Sequence, residues 1–212
     1  MIDSTLFTRR GVLTAGAASL AVAACTPVPP DPPVVEPLDY ASRRDGAHNL
    51  AAIDIGQVHP AFHRQVVPYT GDHPVGSIVI ENSNRLLYLL LPDGYALRYG
   101  ISVGRAGFDW TGSSTVYRRA QWPTWTPPPE MIERDPKLER WKDGQPGGPR
   151  NPLGARALYL LTDGRDQGYR IHGTPDWRSI GRFASSGCFR MLQQDVIDLY
   201  DRVPVGTQVI VA

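Results

Sequence analysis

The chain has 212 residues, with 22 basic and 21 acidic side chains and a formal net charge of +1 at pH 7. This length is enough to bury one hydrophobic core, and the near balance of charge argues against the basic surface of a nucleic-acid-binding protein. The 20 prolines and 21 glycines indicate many turns and loops and argue against a helical bundle.

An export signal is predicted at the N-terminus. A twin-arginine pair at 9–10 is followed by a run from 11 to 24 that is uncharged and rich in alanine. Such a segment is typical of a secretory signal and is too short and too weakly apolar for a membrane span. The letters VAAC at 22–25 are similar to a bacterial lipobox, which predicts a lipoprotein anchored to the membrane through Cys25. Ordinary cleavage after Ala23 is the alternative, and both endings place the protein in the periplasm or cell envelope.

Two segments are expected between the signal, residues 1–25, and the main domain. Residues 26–37 are rich in proline, which fixes φ and removes backbone donors, so this stretch is interpreted as an extended, semi-rigid linker. Residues 38–73 are polar with scattered apolar positions and are predicted to form an irregular arm with short helical turns. The main domain is expected to run from 74 to 212.

Six strands are predicted in the main domain. A period-two alternation, interrupted by turn residues, predicts an antiparallel meander from VGSIVIE (75–81), RLLYLLL (85–91) and YALRYGISVG (95–104). Three more strands are predicted at ARALYLL (155–161), YRIHGT (169–174) and TQVIVA (207–212). Closely spaced short strands indicate a mainly β fold, as a sandwich or a barrel-like sheet.

A long loop separates the third and fourth predicted strands. Residues 118–154 are rich in proline and contain Trp122, Trp125 and Trp141. Ordered loops of this length are usually lids or binding loops. The alternative is that the tryptophans cover a small core.

One helix is predicted from 194 to 203, where apolar positions recur at helical spacing before Pro204. Cys188 lies shortly before it. Unpaired N–H groups and the positive end of the helix dipole are therefore expected to lower the pKa of the Cys188 thiol.

Cys188 and His172 are the candidate chemical pair. If Cys25 is lipidated or removed, Cys188 has no partner for an intramolecular disulfide, and a lone thiol in an oxidising compartment is either buried or used. An imidazole within reach of a thiol can take its proton, which turns the sulfur into a nucleophile. The same imidazole can later give that proton to a leaving amine. The N–H groups of Gly187 and Cys188 are expected to form an oxyanion hole. The alternative is that both residues are buried without a chemical role.

The segment IHGTPDWRSIGRFASSGCFRM at 171–191 resembles the signature of the L,D-transpeptidase (YkuD domain) family. That signature has an HG pair, a variable stretch, a serine or threonine, HGC, an aliphatic residue and then R or N. The strings PVGSIVIE, RYGISVGRAGFDWTG, WPTWTPPPEMI and GGPRNPLGARALYL are similar to the members found in Gram-negative cell envelopes. The resemblance therefore extends from Pro74 to the C-terminus.

The resemblance implies roles for the residues of this segment. Cys188 is expected to be the nucleophile, His172 the base, and the carbonyl of Gly173 the group that orients the imidazole. The family's usual histidine two places before the cysteine is Ser186 here. A serine can form a hydrogen bond to orient the site but cannot carry the proton, so we interpret the site as a variant.

Three further residues are expected to contact substrate. The resemblance places Trp122 and Trp125 over the cleft. Arg190 is expected to contact a carboxylate of a peptide stem, or else to form a structural bond with loop carbonyls. No cofactor is implied, and the spacing of the other histidines predicts no metal site.

The resemblance implies a peptidoglycan L,D-transpeptidase. Cys188 would form an acyl-enzyme from a tetrapeptide stem and transfer it to an amine, which gives a 3-3 cross-link or attaches an envelope protein. Alternatives are an L,D-carboxypeptidase with water as acceptor, an amidase that releases wall-linked proteins, and a non-catalytic peptidoglycan-binding module. The expected partners are peptidoglycan stem peptides and, through the lipid anchor, the membrane, with no nucleic acid.

Overall fold

The computed structural model of the chain describes residues 30–105 and 110–212. The predicted export signal and Cys25 lie outside these residues. Within them, no helix combines the length and the apolar character needed to cross a membrane.

Short strands make up most of the regular structure. The strands are β1 (Arg43–Asp45), β2 (His48–Leu50), β3 (Gln65–Pro68), β4 (Ile78–Glu81), β5 (Leu86–Leu90), β6 (Tyr95–Gly104), β7 (Gly112–Gln121), β8 (Arg156–Thr162), β9 (Arg165–Gly173), β10 (Phe183–Ser185), β11 (Phe189–Met191) and β12 (Gln208–Val211). The α-helices are α1 (Pro129–Arg134) and α2 (Gln193–Arg202), and 3-10 turns cover Ile55–Gln57, Pro60–Phe62, Pro92–Gly94, Pro136–Trp141 and Trp177–Ser179.

The main sheet closes on itself. Its strand order is β10-β6-β11-β9-β8-β7-β12-β4-β5, and β5 also pairs with β6, so eight strands form a barrel to which β10 and β3 attach at β6. The C-terminal strand β12 lies between β4, to which it is parallel, and β7, to which it is antiparallel. Closure leaves few free strand edges for a second chain to pair with. The predicted mainly β, barrel-like fold is confirmed.

The barrel interior is apolar, and α2 packs against it. Large side chains from β4, β5, β6, β8, β9, β11 and β12 are fully buried in one cluster, and α2 adds Val196 and Leu199 to that cluster. The helix contacts β8 and β9. Because β9 carries His172, the packing of α2 holds the strand that presents this side chain.

All six predicted strands are present, but β7, β10 and β11 were missed, and residues 118–121 belong to β7 and not to the loop. The pairing of β7 with β8 shifts register between Val116 and Arg118. A bulge of this kind moves the following side chains to the opposite face, so the alternation that reveals a strand is interrupted.

The N-terminal arm contains the expected short helical turns, but it also contributes β3 to the main sheet. Two buried ion pairs fix it. Arg64 lies 2.7 Å from Asp198 of α2, and Asp45 lies 2.7 Å from Arg156 of β8. Breaking a buried pair by removing one partner is strongly destabilising, because the remaining charge stays buried.

A third contact between the arm and α2 is sensitive to pH. The Tyr40 hydroxyl donates to Oδ1 of Asp195 at 2.6 Å, and Oδ2 of this buried carboxyl has no partner among the described residues. Burial raises the pKa of Asp195 from 3.8 to about 7. A carboxyl whose pKa is raised by folding favours the folded state below its unfolded pKa, and this contribution is lost as pH rises through the folded pKa.

We therefore expect Asp195→Asn to lose this pH dependence, because an amide stays neutral. The advantage of the wild type over Asp195→Asn in unfolding free energy should shrink between about pH 4 and pH 7.5. Urea unfolding of both proteins at pH 5 and pH 7.5 measures this. The lowered pKa of His172 makes the unfolding free energy rise with pH in the same range. Because His172 is present in both proteins, its contribution cancels in the difference between them. An unchanged difference would contradict the expectation.

Candidate active site

The candidate site lies where β9 and β11 run side by side in parallel. Arg190 is paired with His172, and the neighbouring pair is Phe189 with Ile171. Successive side chains on a strand point to opposite faces, so Phe189 and Ile171 enter the core while the residues flanking them share the other face. Four side chains are brought together on that face: Arg170, His172, Cys188 and Arg190.

The candidate nucleophile and base are diagonal neighbours on this face. In an ideal sheet, with strands about 4.8 Å apart and a rise of about 3.3 Å per residue, the Cα atoms of such diagonal neighbours are about 8 Å apart. No hydrogen bond joins the two side chains in the described structure, because the Cys188 thiol donates to the carbonyl of Gly168 at 3.4 Å. Rotation of the thiol about its Cα–Cβ bond is needed before it can give its proton to His172.

The His172 side chain is buried and oriented by its own backbone neighbour. Its Nδ1 lies 2.6 Å from the carbonyl oxygen of Gly173. A carbonyl only accepts, so the proton is on Nδ1 and Nε2 is left as the basic nitrogen. The Gly173 carbonyl is therefore placed to orient the imidazole, as expected.

Burial keeps the His172 imidazole neutral. Removal from water lowers its pKa to about 4, and the charges of Arg190 and Arg170 act in the same direction. The carbonyls of Gly173 and Pro152 oppose this shift, because they favour the protonated ring. Those carbonyls would stabilise an imidazolium once a proton arrives.

Cys188 is a neutral thiol in the resting site. Burial raises the pKa of its thiol, and this outweighs the lowering effects of Arg170 and Arg190. The expected lowering by a helix N-terminus is wrong, because β11 follows Cys188 and α2 begins only at Gln193. The resting pair is therefore a thiol and a neutral imidazole and not an ion pair.

A tight turn presents Cys188, and a buried serine holds that turn. Gly187 has a φ of 110°, in the region that favours glycine. The Ser185 hydroxyl donates to the Cys188 carbonyl at 2.5 Å and accepts from the Gly187 N–H at 3.2 Å. The expected oxyanion donor Gly187 is thus bonded to Ser185 in the resting structure. Ser186 is exposed, and its side chain has no hydrogen bond within residues 30–105 and 110–212.

Arg190 carries a partly buried guanidinium on the same face as His172. Burial lowers the pKa of Arg190, and Asp176 opposes this as the main favourable charge. In the part of the chain that is described, its guanidinium forms no hydrogen bond or ion pair, so the structural bond to loop carbonyls is not found. A free, partly desolvated guanidinium is well suited to a carboxylate ligand.

The two tryptophans expected over the cleft have other contacts. The Trp122 indole N–H donates to Asp45 at 2.8 Å, and the ring packs on a cluster of Leu50, Ala155 and Ile197. Trp125 forms an isolated β-bridge with Gln145. Neither tryptophan forms a hydrogen bond or a ring contact with Cys188 or His172 in the described structure, and Trp122 belongs to a small core.

Asn151 organises the long loop that contains these tryptophans. Its buried amide nitrogen donates to the carbonyls of Pro123, Gln145 and Pro146, at 3.0 to 3.1 Å. Its oxygen accepts from the N–H of Leu153 at 2.8 Å. One side chain therefore joins both ends of the loop.

Sequence reasoning missed three residues of the site: Gly168, Arg170 and Ser185. The β8–β9 pairing shifts register between Tyr159 and Leu161, so β9 bulges before Arg170. The bulge turns the Gly168 carbonyl towards Cys188. A glycine inside a strand pattern is the signal that could have revealed it, since such glycines often mark bulges.

The arrangement supports acyl transfer through sulfur. A thiol, a neutral imidazole with one unprotonated nitrogen, and a guanidinium that has no hydrogen bond or ion pair within the described residues share one face. These groups can provide a nucleophile, a proton acceptor and a carboxylate anchor.

Comparison with protein families supports the same chemistry. The family model described as the L,D-transpeptidase catalytic domain (YkuD) matches residues 76–211. The "Probable L,D-transpeptidase ErfK/SrfK" of Escherichia coli is 38% identical over 141 residues, which is 62% of this chain and 42% of that protein. The "Probable L,D-transpeptidase YbiS" of the same organism is 36% identical over 139 residues, 63% of this chain and 43% of that protein. The chain thus spans less than half the length of these relatives.

A solved structure is also similar. The crystal structure of a protein named "Probable carnitine operon oxidoreductase caia", from Brucella melitensis, is 48% identical in sequence, with a TM-score of 0.51. The match covers 75% of this chain and 99% of that one.

Proposed function

Because this chain belongs to the L,D-transpeptidase catalytic domain (YkuD) family, we propose that it is a peptidoglycan L,D-transpeptidase that uses Cys188 as nucleophile. The observation that carries this proposal is the shared face of β9 and β11. Cys188 and His172 lie there as diagonal neighbours, and Nε2 is the nitrogen of the imidazole that lacks a proton.

The first half-reaction forms an acyl-enzyme. As the Cys188 thiol rotates away from Gly168, its proton passes to Nε2 of His172, and Sγ attacks the carbonyl carbon of the third residue of a tetrapeptide stem. An S–C bond forms and the carbonyl becomes an oxyanion. When this tetrahedral intermediate collapses, the C–N bond breaks, and the imidazolium gives its proton to the amine of the departing D-alanine.

Backbone N–H groups around the nucleophile turn would stabilise the oxyanion. The Gly187 N–H is held by Ser185 at 3.2 Å, a weak bond that an oxyanion could displace or share. Arg190 would bind a stem carboxylate, since its guanidinium is partly desolvated and free of partners in the described residues.

The second half-reaction transfers the acyl group to an acceptor. An amine of a neighbouring stem would give a 3-3 cross-link, an amine of an envelope protein would give an attached protein, and water would give a trimmed stem. In each case the acceptor loses a proton to His172, an acyl bond forms, the S–C bond breaks, and the imidazolium returns the proton to Sγ to restore the thiol. We propose a stem amine as the main acceptor, with the other acceptors as outcomes of the test.

We also propose export to the cell envelope, with Cys25 as a lipid anchor. The support is the twin-arginine pair, the uncharged run and the VAAC sequence at 22–25. The mass of the mature N-terminus tests this, because a diacylated cysteine and an unmodified Ala24 differ in mass. The finer assignment to a Gram-negative envelope is supported by the Escherichia coli relatives.

The experiment that tests the function is a muropeptide assay. We expect the purified protein to convert tetrapeptide muropeptides into dimers linked 3-3, with release of D-alanine, as seen by mass spectrometry. Tripeptides alone would identify a carboxypeptidase, and loss of protein from protein-linked muropeptides would identify an amidase. Binding without any product would favour the non-catalytic module.

The assay also distinguishes acyl transfer from the redox activity that the name of the Brucella melitensis protein implies, since that protein is called an oxidoreductase. We base the proposal on the family match because it covers the residues that form the site. Formation of 3-3 dimers is a transfer without redox change, and its absence would count against the proposal.

A further inference from the structure

A line of cations and one aromatic ring crosses the sheet and ends at the nucleophile. Arg118 of β7 is paired with Tyr159 of β8, which is paired with Arg170 of β9. The parallel register of β9 and β11 places Cys188 next to Arg170. The two guanidinium carbons lie 4.4 Å and 4.9 Å from the centre of the Tyr159 ring, so one ring supports both arginines.

Of these two arginines, only Arg170 lies next to the Cys188 thiol. The Arg170 guanidinium donates to the Gly168 carbonyl, the same oxygen that accepts from Sγ of Cys188 at 3.4 Å. Arg170 and Cys188 therefore meet at one carbonyl oxygen, and the charge of Arg170 favours the thiolate form of Cys188. Arg118 has no such contact with Cys188 in the described structure.

The Arg170 guanidinium is held in this position by the bulge of β9. Asp166 lies 3.5 Å from it, and the Tyr117 hydroxyl donates to the same carboxylate at 2.6 Å. Gly168, with a φ of 89°, places its carbonyl between the guanidinium and the thiol. A fixed cation close to a sulfur costs little reorganisation when the sulfur becomes charged.

We propose that Arg170 is a further catalytic residue, whose guanidinium binds the Cys188 sulfur as a thiolate, and that the Gly168 carbonyl holds the same sulfur while it is protonated. This rests on the proposed function for the role of Cys188 as nucleophile.

The exchange follows from what each group can donate. A thiol donates to the Gly168 carbonyl, but a thiolate has no proton to give and is repelled by that oxygen. When the proton moves from Sγ to Nε2 of His172, the sulfur leaves Gly168, and the Arg170 guanidinium can bond to it. Arg190 of β11 is the second cation that lowers the pKa of the thiol, but no hydrogen bond joins it to Cys188 among the described residues.

The test measures alkylation of Cys188 by iodoacetamide as a function of pH. In this reaction the thiol loses its proton to solvent, Sγ forms a bond with the methylene carbon, and iodide leaves. The label is quantified on the tryptic peptide FASSGCFR (183–190), which separates Cys188 from Cys25. The proteins compared are wild type, Arg170→Gln, Arg170→Lys and the matched control Arg118→Gln, which removes the other guanidinium from the same Tyr159 ring.

We expect Arg170→Gln to raise the midpoint by about one pH unit, because an opposite charge at this range shifts a pKa by about one to three units. Below the midpoint, alkylation should then be about tenfold slower. Arg170→Lys should keep the rate within about threefold of wild type, since the charge is retained. Arg118→Gln should leave the midpoint unchanged.

Three outcomes would overturn the proposal. They are an unchanged midpoint in Arg170→Gln, an equal shift of the midpoint in Arg118→Gln, and an alkylation rate that falls by the same factor at every pH, which would reflect access of iodoacetamide to Cys188. Thermal unfolding checks the fold of each variant. Should Arg170→Gln be unfolded, Arg170→Met takes its place, since it also removes the charge, and the same rise or absence of a rise in the midpoint decides. Alkylation needs no peptidoglycan, so this result stands apart from the muropeptide assay.

Discussion

Replacing Cys188 with alanine is expected to abolish release of D-alanine from tetrapeptide muropeptides, with a loss of about 10⁴-fold or more. The reason is that the acyl-enzyme is an S–C bond, and no other described side chain on the face shared by β9 and β11 is a nucleophile of comparable strength. The measurement is D-alanine release by the purified variant under the conditions used for the wild type.

Cys188→Ser is the matched variant, because it keeps the size of the side chain and a hydroxyl that can still donate to the Gly168 carbonyl. It should be equally inactive, since a neutral imidazole activates a hydroxyl much less readily than a thiol. Both variants should unfold close to the wild-type temperature, since serine nearly keeps the shape of cysteine and alanine removes a single heavy atom. Release of D-alanine within tenfold of wild type by either folded variant would refute the role of Cys188.

Replacing His172 with alanine is expected to lower the acylation rate by about 10²- to 10⁴-fold, the usual range for losing a general base. The loss follows from the neutral resting pair, because the thiol needs an acceptor for its proton as it attacks. His63→Ala is the control: this partly buried histidine bonds the Val58 carbonyl at 2.7 Å within the arm. It should acylate at close to the wild-type rate.

The pH profile of the wild type gives a second measure of His172. Burial lowers its pKa from 6.5 to about 4, so the imidazole remains an acceptor down to about pH 4. The acid limb of kcat/KM should therefore fall near pH 4 and not near pH 6.5. An acid limb at pH 6.5 would mean that His172 is solvated in the working enzyme. Equal acylation rates for His172→Ala and His63→Ala would exclude His172 as the base.

The sequence predicts the parts of the fold that are encoded locally. Alternation and turn residues predict β4, β5, β6, β8, β9 and β12, and helical spacing predicts α2 within one residue at each end. β7 was missed because its bulge near Tyr117 interrupts the alternation. β11 was missed because three residues are too few for a periodic pattern, and this also explains the wrong expectation of a helix N-terminus at Cys188.

The site is predictable only where its residues share one motif. His172 and Cys188 can be found from the string that joins them, whereas Arg170 becomes visible only through the register of β9 against β11. The role of Trp122 also could not be predicted from the local sequence. Its indole bonds Asp45, a residue far away in sequence, and this contact decides between a cleft residue and a core residue.

The position of β12 has a consequence for the folding of the barrel. This last strand fills the gap between β4 and β7, and Ala212 bonds through its backbone to both Ile80 and Asn82. Strands separated by more than a hundred residues must therefore meet before the barrel closes, which makes folding slow compared with that of a protein built from local contacts. Until β12 is in place, β4 and β7 each keep one unpaired edge, so the barrel cannot close before this strand pairs with both.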